Sequence, residues 1–208
     1  PRLVAQIVPA PHTLAFDRTI VELIGAGYIG ELISLDARVS MAGFPNADSD
    51  ITWRQNRDLS GNNIMAMGIW YEAMMRWVGP MASLFAVGQA VVGHRVDESG
   101  RRVAMSIPDH VDIVGQMEQG GQMRFNVSSV LGHAPAGVDV CIFGTEGTIR
   151  LVQAGSDPMT LFAGKRGEDG LSQIDIDPAK KGGWRVEEEF INAIRGVETI
   201  SHTDFTTA

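Results

Sequence analysis

Side chains suited to binding a polar ligand are concentrated in one stretch, a polar loop that leads into a long apolar segment. They carry guanidinium, amide or indole groups, and they are Trp53, Arg54, Gln55, Arg57, Asn62, Asn63 and Trp70. An arginine fork beside an aromatic face suits a sugar hydroxyl, a carboxylate or a phosphate group. Asn63 lies seven residues before Trp70, about two helical turns, so both can face one cleft. We predict that this set binds a small-molecule substrate.

The same loop also has a structural interpretation, and the sequence leaves the two open. Its arginines can pair with nearby aspartates and so pin the loop, the aspartates being Asp48, Asp50 and Asp58. Ser60 is predicted to cap the helix that follows, because a serine at this place accepts a hydrogen bond from a backbone N–H group. Capping alone does not account for the two asparagines that come after it.

Two ionisable residues in the apolar segment are the candidates for proton transfer. Tyr71 can serve as a proton donor beside a lysine, and Glu72 is the only acid of the predicted helix. The structural alternatives are a core tyrosine with a hydrogen-bonded hydroxyl and an ion pair between Glu72 and Arg76 along the helix. We therefore name Tyr71 and Glu72 as the predicted catalytic residues, with these two roles left open beside catalysis.

The spacing of apolar residues predicts the elements that position these side chains. Helical spacing covers residues 13–27, 61–77 and 187–195. Phe190, Ile191 and Ile194 are expected to face inward from the last helix. Extended or alternating spacing covers residues 3–8, 33–41, 83–97, 109–117, 122–130, 137–143, 148–152, 158–163 and 171–176.

This order of elements predicts an α+β fold. Many hairpin strands with few helices indicate a large mixed, mostly antiparallel open sheet with helices packed on one face. The other face of such a sheet is bare, and a large bare face usually meets a partner. We expect the chain to form a homodimer, or a larger homo-oligomer, through this face.

A glycine pattern near the first helix resembles a dinucleotide-binding turn but stands in the wrong context. Residues 25–30 read GAGYIG, yet helical spacing comes before them and strand spacing after. A nucleotide-binding turn requires the opposite order, so that the helix N-terminus meets the pyrophosphate. We interpret the pattern as a helix end followed by a turn, and we predict no cofactor site in this chain.

Composition excludes several classes of partner. The 208 residues are 44% hydrophobic, enough for one sizeable core, and carry a net charge of −8. Such an acidic chain does not suit nucleic acid or an anionic membrane surface, and no apolar run reaches the ~20 residues of a membrane helix. The five histidines lack metal-ligand spacing, so no metal site is predicted. The single cysteine, Cys141, predicts a cytoplasmic location and packing as a small hydrophobe.

Five segments together resemble the C-terminal domain of the glucose-fructose oxidoreductase, inositol dehydrogenase and rhizopine-catabolism (Gfo/Idh/MocA) family. In chain order they are IVELIGAGYIGELISLD, WRQ followed by SGNN, NIMAMGIWYE, GTEGTIRL and EEFINAIRG. The resemblance implies that residues 1–208 are a C-terminal substrate-binding and oligomerisation domain. It also implies a preceding Rossmann domain that binds NAD or NADP and carries a catalytic lysine. Because the chain begins at Pro1 without a methionine, we expect it to be a piece of a longer protein.

The resemblance implies an NAD(P)-dependent oxidoreductase that moves hydride to or from a sugar, polyol or related hydroxyl compound. One departure concerns the central helix, where the aspartate, histidine and further acid of the family are replaced by Ala66, Trp70 and Ala73. Tyr71 and Glu72 do not simply replace the missing histidine, because a helix turns ~100° per residue. The alternative is a family member that has lost catalysis and serves as a ligand-binding or assembly protein. Under either interpretation, this chain alone is not expected to transfer hydride.

Overall fold

The computed structural model describes residues 3–7, 14–41, 43–64 and 67–200. Its helices are α1 Asp17–Gly25, α2 Arg57–Ser60, α3 Met67–Val78 and α4 Val186–Ile194, and its 3-10 turns are Trp53–Gln55 and Pro178–Lys180. Its strands are β1 Leu32–Ser40, β2 Met81–Gln89, β3 His94–Val96, β4 Arg102–Ala104, β5 His110–Met117, β6 Gln122–Ser128, β7 Val138–Gly144, β8 Gly147–Gln153, β9 Thr160–Lys165 and β10 Ser172–Gln173. Within these ranges no helix is long and apolar enough to cross a membrane.

Eight strands form one open sheet in the order β10, β9, β8, β7, β1, β6, β5, β2. The neighbouring strands β1 and β6 are parallel, and the other neighbouring pairs are antiparallel. The remaining strands, β3 and β4, form a separate two-stranded hairpin. The predicted α+β fold with a large mixed, mostly antiparallel open sheet is therefore confirmed.

α1 and α3 cover one face of the sheet. Side chains alternate along β1, so Leu35 is fully buried under the helices while Asp36 faces the other side. Ile20 of α1 and Met74 of α3 are fully buried in the same apolar cluster as Phe125 of β6. The helix-free face carries exposed apolar side chains, such as Phe85 and Val114, and charged ones, such as Arg124 and Asp36.

A buried carboxylate joins α1 to α3. Asp17 is only 4% exposed. Its oxygens accept hydrogen bonds from the Arg76 guanidinium at 2.9 and 3.4 Å and from the Trp77 indole nitrogen at 2.9 Å. A buried anion is costly unless such donors surround it. This network fixes the two helices relative to each other over the sheet.

The start of the chain and the start of the central helix differ from the prediction. Residues 3–7 form no strand, and the last residue of that predicted strand lies outside the described part of the chain. α3 begins at Met67, and residues 61–64 are not helical. Ser60 instead ends α2, where its hydroxyl donates to the carbonyl oxygens of Arg54 and Asn56 at 2.8 and 3.1 Å. The prediction that Ser60 caps the central helix is wrong.

Residues 83–97 do not form one long strand. β2 ends at Gln89, and the chain then leaves the sheet and continues as β3 from His94. The backbone N–H groups of Val91 and Val92 donate to the carboxylate of Asp109 at 2.7 and 2.9 Å, which holds this break in place. The alternation of small and apolar residues therefore continued past the true end of the strand.

The last helix does not turn its whole apolar stripe inward. Ile191 and Ile194 are 43% and 58% exposed, whereas Glu189 is only 2% exposed. Phe190 is half-buried. The inward prediction is wrong for the two isoleucines, because helical spacing defines a face but does not say which face the rest of the chain will cover.

The glycine pattern at residues 25–30 is a helix end and a turn, as predicted. α1 ends at Gly25, and Gly27 and Gly30 adopt positive φ angles of 75° and 69° before β1 begins. Such angles suit glycine because they place no Cβ against the backbone. With a helix before and a strand after, the order is the reverse of a dinucleotide-binding turn.

Cys141 lies on the helix-free face of β7, half-buried and without a disulfide. Burial first, and then the neighbouring Asp139 carboxylate, raise the pKa of its thiol to about 11. Since the thiolate is the reactive form, we expect iodoacetamide to alkylate Cys141 on the order of 100-fold more slowly at pH 7.5 than an unperturbed cysteine. Reactivity should rise as the pH approaches 11.

Mass spectrometry of the alkylated protein against time measures this rate. The urea-unfolded chain is the control, because its thiol is free of burial. Equal alkylation rates for the folded and unfolded chains at pH 7.5 would contradict the expectation.

Candidate functional site

A recess opens at the carboxyl ends of the parallel strands β1 and β6. Met41 and Ser129 directly follow these strands and line it together with Arg54, Gln55 and Asn63. Its cavity volume is about 50 Å³, so a ligand of sugar size would lie mostly in the open mouth of the recess. Three of the predicted binding residues therefore line the same recess.

The 3-10 turn that carries Arg54 and Gln55 is held by its own side chains. The amide oxygen of Gln55 accepts hydrogen bonds from the backbone N–H and the hydroxyl of Thr52, at 2.8 and 3.1 Å. That oxygen is occupied, so the amide nitrogen of Gln55 is the group left to donate to a ligand. The Arg54 carbonyl accepts the hydroxyl of Ser60 at 2.8 Å, which ties the turn to α2.

The two predicted arginines occupy different places. The Arg54 guanidinium lines the recess and lies 4.4 Å from the ring centroid of Trp53, a cation–π contact. Arg57 is exposed on α2 and does not line the recess. Neither arginine forms an ion pair with a carboxylate of the described residues. The alternative was that these arginines fix the loop through ion pairs with Asp48, Asp50 or Asp58. The described part of the chain shows no such ion pair.

A third arginine reaches the recess from the β3–β4 hairpin and was missed by the sequence analysis. Arg95 of β3 lines the recess, is half-buried, and donates from Nη1 to the carbonyl oxygen of Asn46 at 3.3 Å. Residues 97–100 read DESG, a turn signal between two short strands. Reading that signal as a hairpin would have separated Arg95 from the long strand to which it was assigned.

A serine, a histidine and an aspartate meet beside the recess, but their arrangement does not provide a nucleophile. His110 contacts the Ser128 hydroxyl through Nδ1 at 3.0 Å and the Asp112 carboxylate through Nε2 at 3.2 Å. Ser128 is only 1% exposed, and its hydroxyl oxygen accepts the backbone N–H of Val130 at 3.2 Å. The hydroxyl of this nearly buried serine, which lines the recess, is engaged by both groups, and these contacts fasten β5 to β6.

Four of the predicted binding residues lie outside the recess lining. Arg57, as noted, is one of them. Trp53 and Asn62 are exposed on the same approach to the central helix. Trp70 is 7% exposed and packs in the main apolar cluster. The binding roles of these residues stay predictions.

The two predicted catalytic residues lie on α3. The hydroxyl of Tyr71 accepts a hydrogen bond from the backbone N–H of Met81 at 3.4 Å, which agrees with the structural alternative of a satisfied core tyrosine. Glu72 is half-buried. Their catalytic roles stay predictions. Over the described ranges, no group of three or more His, Cys, Asp or Glu side chains could hold a metal ion.

Comparison with known proteins places this geometry in a wider context. Residues 18–150 match the family profile described as the GFO/IDH/MocA C-terminal domain. Among curated proteins, none matches the chain. An NAD binding oxidoreductase from Klebsiella pneumoniae shares 19% identity and a TM-score of 0.68, over 89% of this chain and 54% of that chain.

Two further solved structures show the same fold. Levoglucosan dehydrogenase in complex with NADH and L-sorbose shares 18% identity and a TM-score of 0.72, over 92% of this chain and 56% of that chain. The super-repressor mutant of Gal80p from Saccharomyces cerevisiae shares 14% identity and a TM-score of 0.65, over 95% of this chain and 53% of that chain. The chain thus spans about half the length of the solved structures that it matches. The profile covers more than half of the chain, and the chain belongs to the GFO/IDH/MocA family.

Proposed function

We propose that the chain is the substrate-binding and oligomerisation domain of an NAD(P)-dependent oxidoreductase that acts on a sugar, polyol or related hydroxyl compound. The observation that carries the proposal is the convergence of Arg54, Gln55 and Asn63 on one recess at the carboxyl ends of β1 and β6. These side chains offer guanidinium and amide groups, which match hydroxyl-rich ligands. The family and the fold shared with levoglucosan dehydrogenase support the substrate class.

NAD or NADP would be held by a preceding Rossmann domain of the whole protein. Exposed apolar side chains around the start of α3 support a partner domain at this place, namely Trp53 at 54%, Leu59 at 70% and Ile69 at 45% exposure. Exposed apolar side chains that lie close together mark a packing surface. A cytoplasmic location is also part of the proposal, and the unpaired Cys141 supports it.

The full-length protein tests this function in a spectrophotometric assay of NADH and NADPH turnover over a panel of sugars and polyols. Asn63→Leu removes an amide that lines the recess, and we expect KM to rise about 10-fold, the equivalent of one lost hydrogen bond of roughly 1.4 kcal/mol. Gln173→Leu on the exposed edge strand β10 is the matched control and should keep the wild-type KM. If the Asn63→Leu variant turned over substrate with an unchanged KM, the recess would not be the substrate-binding site.

A second candidate function is ligand binding or assembly without catalysis. It is supported by Trp70, which stands where the family has a histidine and is buried in the core, and by the burial of Ala73 where the family has an acid. The fold also occurs in a protein described as a super-repressor mutant. Sugar binding without nicotinamide turnover across the panel would favour this candidate. Turnover that is abolished by Tyr71→Phe or Glu72→Gln would defeat it.

We further propose that two copies pair through the helix-free face of the sheet. Exposed apolar side chains lie on that face, among them Phe85 at 67%, Val114 at 46% and Phe143 at 37% exposure. They surround charged groups of both signs, such as the Arg150–Asp139 pair at 2.8 Å. A face with both signs can complement itself about a two-fold axis.

The double variant Phe85→Asp with Val114→Asp tests this pairing. It places two carboxylates on neighbouring strands of the face, and we expect a monomer by light scattering at a concentration where the wild type is a dimer. Val197→Asp is the control, because Val197 is 75% exposed but follows α4 and lies outside the sheet. A double variant that keeps the wild-type mass would contradict pairing through this face.

A further inference from the structure

Two arginines from separate elements line the recess, Arg54 from the 3-10 turn and Arg95 from β3. The chain is acidic, with 25 carboxylate side chains against 17 basic ones. Arg76 and Arg150 pair with Asp17 and Asp139, whereas other arginines, such as the exposed Arg57, have no ion pair with a described carboxylate. Neither recess arginine forms an ion pair with a carboxylate of the described residues. Two cations kept without a counterion in an acid-rich chain indicate a site that an external anion completes.

Among the described residues one carboxylate lines the recess, and its hydrogen bonds are with the backbone and not with these arginines. Asp109 is that residue, and both of its oxygens already accept backbone N–H groups, from Val91 at 2.7 Å and from Val92 at 2.9 Å. Its role is to hold the break between β2 and β3. The recess therefore keeps an excess of positive charge toward a ligand.

Each guanidinium is held by a contact that leaves most of its donors available. Arg54 stacks over the Trp53 ring, a contact that uses the face of the guanidinium and not its N–H groups. Arg95 commits Nη1 to the carbonyl of Asn46 at 3.3 Å. An arginine has five N–H donors in a fixed fork that fits a carboxylate or a phosphate. Asn63 lines the same recess, and its side-chain amide can form a hydrogen bond with a ligand hydroxyl.

We infer that the substrate carries an anionic group, a carboxylate or a phosphate attached to a hydroxyl-bearing carbon chain, which Arg54 and Arg95 bind together. The inference rests on the proposed function, since it names the substrate class of the same recess. A neutral polyol would leave both guanidinium groups unpaired once a closing domain removed water, at a cost that an anionic group avoids.

The test is calorimetric binding of matched neutral and anionic probes to the full-length protein. The neutral and carboxylate pairs are D-glucose with D-glucuronate and D-glucitol with D-gluconate, and D-glucose 6-phosphate serves as the phosphate arm. We expect at least one anionic probe to bind at least 10-fold more tightly than its neutral partner. The arm that shows the preference distinguishes a carboxylate from a phosphate.

The variants Arg54→Gln and Arg95→Gln should each reduce that preference about 10-fold, because the anionic probe loses more affinity than its neutral partner. Arg101→Gln is the matched control, because Arg101 belongs to the same hairpin, has a side chain that is 80% exposed, and pairs with Asp97 away from the recess. A thermal melt of each variant verifies folding. The inference is overturned if no anionic probe is preferred, including by absence of all binding, or if both variants keep the preference.

Failure of the inference and failure of the proposed function give different results. Turnover of neutral sugars without an anion preference would keep the oxidoreductase and reject the anionic substrate. An anion preference that depends on Arg54 and Arg95, with no nicotinamide turnover over the panel, would keep the binding site and reject the oxidoreductase.

Discussion

Replacing Asp17 with alanine is expected to lower the free energy of unfolding by about 3–5 kcal/mol, the cost of breaking a buried ion pair from one side. The change leaves the Arg76 guanidinium, whose side chain is 30% exposed, without its carboxylate at 2.9 Å. It also leaves the indole N–H of Trp77, in a residue only 4% exposed, without its acceptor. Because both partners lie on α3, the loss loosens the contact between α1 and the central helix. Urea denaturation followed by tryptophan fluorescence measures the change.

A neighbouring exposed ion pair supplies the control. Arg18→Ala removes the pair with Glu22 at 3.4 Å, in which the two side chains are 66% and 43% exposed, and should cost less than about 1 kcal/mol. The double variant Asp17→Ala with Arg76→Met should lose less stability than the sum of its two single variants, because it leaves no unpaired cation. Equal losses in Asp17→Ala and Arg18→Ala would contradict the buried network.

The fold could be predicted from local patterns because its main elements have clear periodicities. β1 alternates between the buried Leu35 and the outward Asp36, and the hairpin of β5 and β6 is marked by the glycines at residues 120 and 121. The helix-free face followed from counting hairpin strands against helices. These features depend on residues close together in the chain, where spacing carries most of the information.

The misassigned parts depend on contacts between residues far apart in sequence. The break after β2 is held by Asp109, which lies 17 and 18 residues from the N–H groups that it binds. The partner of Arg76 is Asp17, 59 residues earlier, whereas spacing alone offered Glu72 within the same helix. On α4, Glu189 is buried while Ile194 is exposed, and only the packing of distant segments decides that choice.

The candidate site was accessible from the sequence only in part. Arg54, Gln55 and Asn63 belong to one continuous stretch, so residue type and spacing were enough to group them. Arg95 reaches the same recess only because the chain leaves the sheet after Gln89 and folds back as a hairpin. The net positive charge of the recess comes from arginines on separate segments. The inference of an anionic substrate could therefore not be drawn from any one segment of the sequence.

The departure that the resemblance implies, a tryptophan where the family has a histidine, also gains a physical explanation from the fold. Trp70 occupies the position of that histidine and contributes a 7% exposed indole to the core cluster, next to a fully buried Ala73. An indole fills far more volume than an imidazole, and an acid in place of Ala73 would need a partner in an apolar cluster. The departures at these two positions therefore fit each other, since both turn a polar helix face into packing surface.

Replacing Gly144 with alanine is expected to lower the free energy of unfolding by about 3 kcal/mol, because backbone and not a flexible side chain would block the new methyl group. Its Cβ would overlap severely with the carbonyl oxygen of Ile29 and stand 2.8 Å from the Ile29 Cβ and 2.9 Å from its carbonyl carbon. The same carbonyl oxygen accepts the N–H of Glu146 at 2.8 Å, so the turn cannot move away without breaking that bond. Urea denaturation of the purified chain measures the loss.

The matched control is a glycine-to-alanine substitution at Gly68, where the added methyl group has free space and the helical backbone favours alanine. Gly68 lies in the first turn of α3 and a Cβ there meets nothing within 4 Å, so Gly68→Ala should stabilise the chain by about 0.5 kcal/mol through the lower entropy of its unfolded state. The two variants add one identical methyl group and should shift the urea midpoint in opposite directions. A Gly144→Ala variant that is as stable as the wild type would mean that the close approach of the residue 28–30 turn to the end of β7 does not constrain the fold.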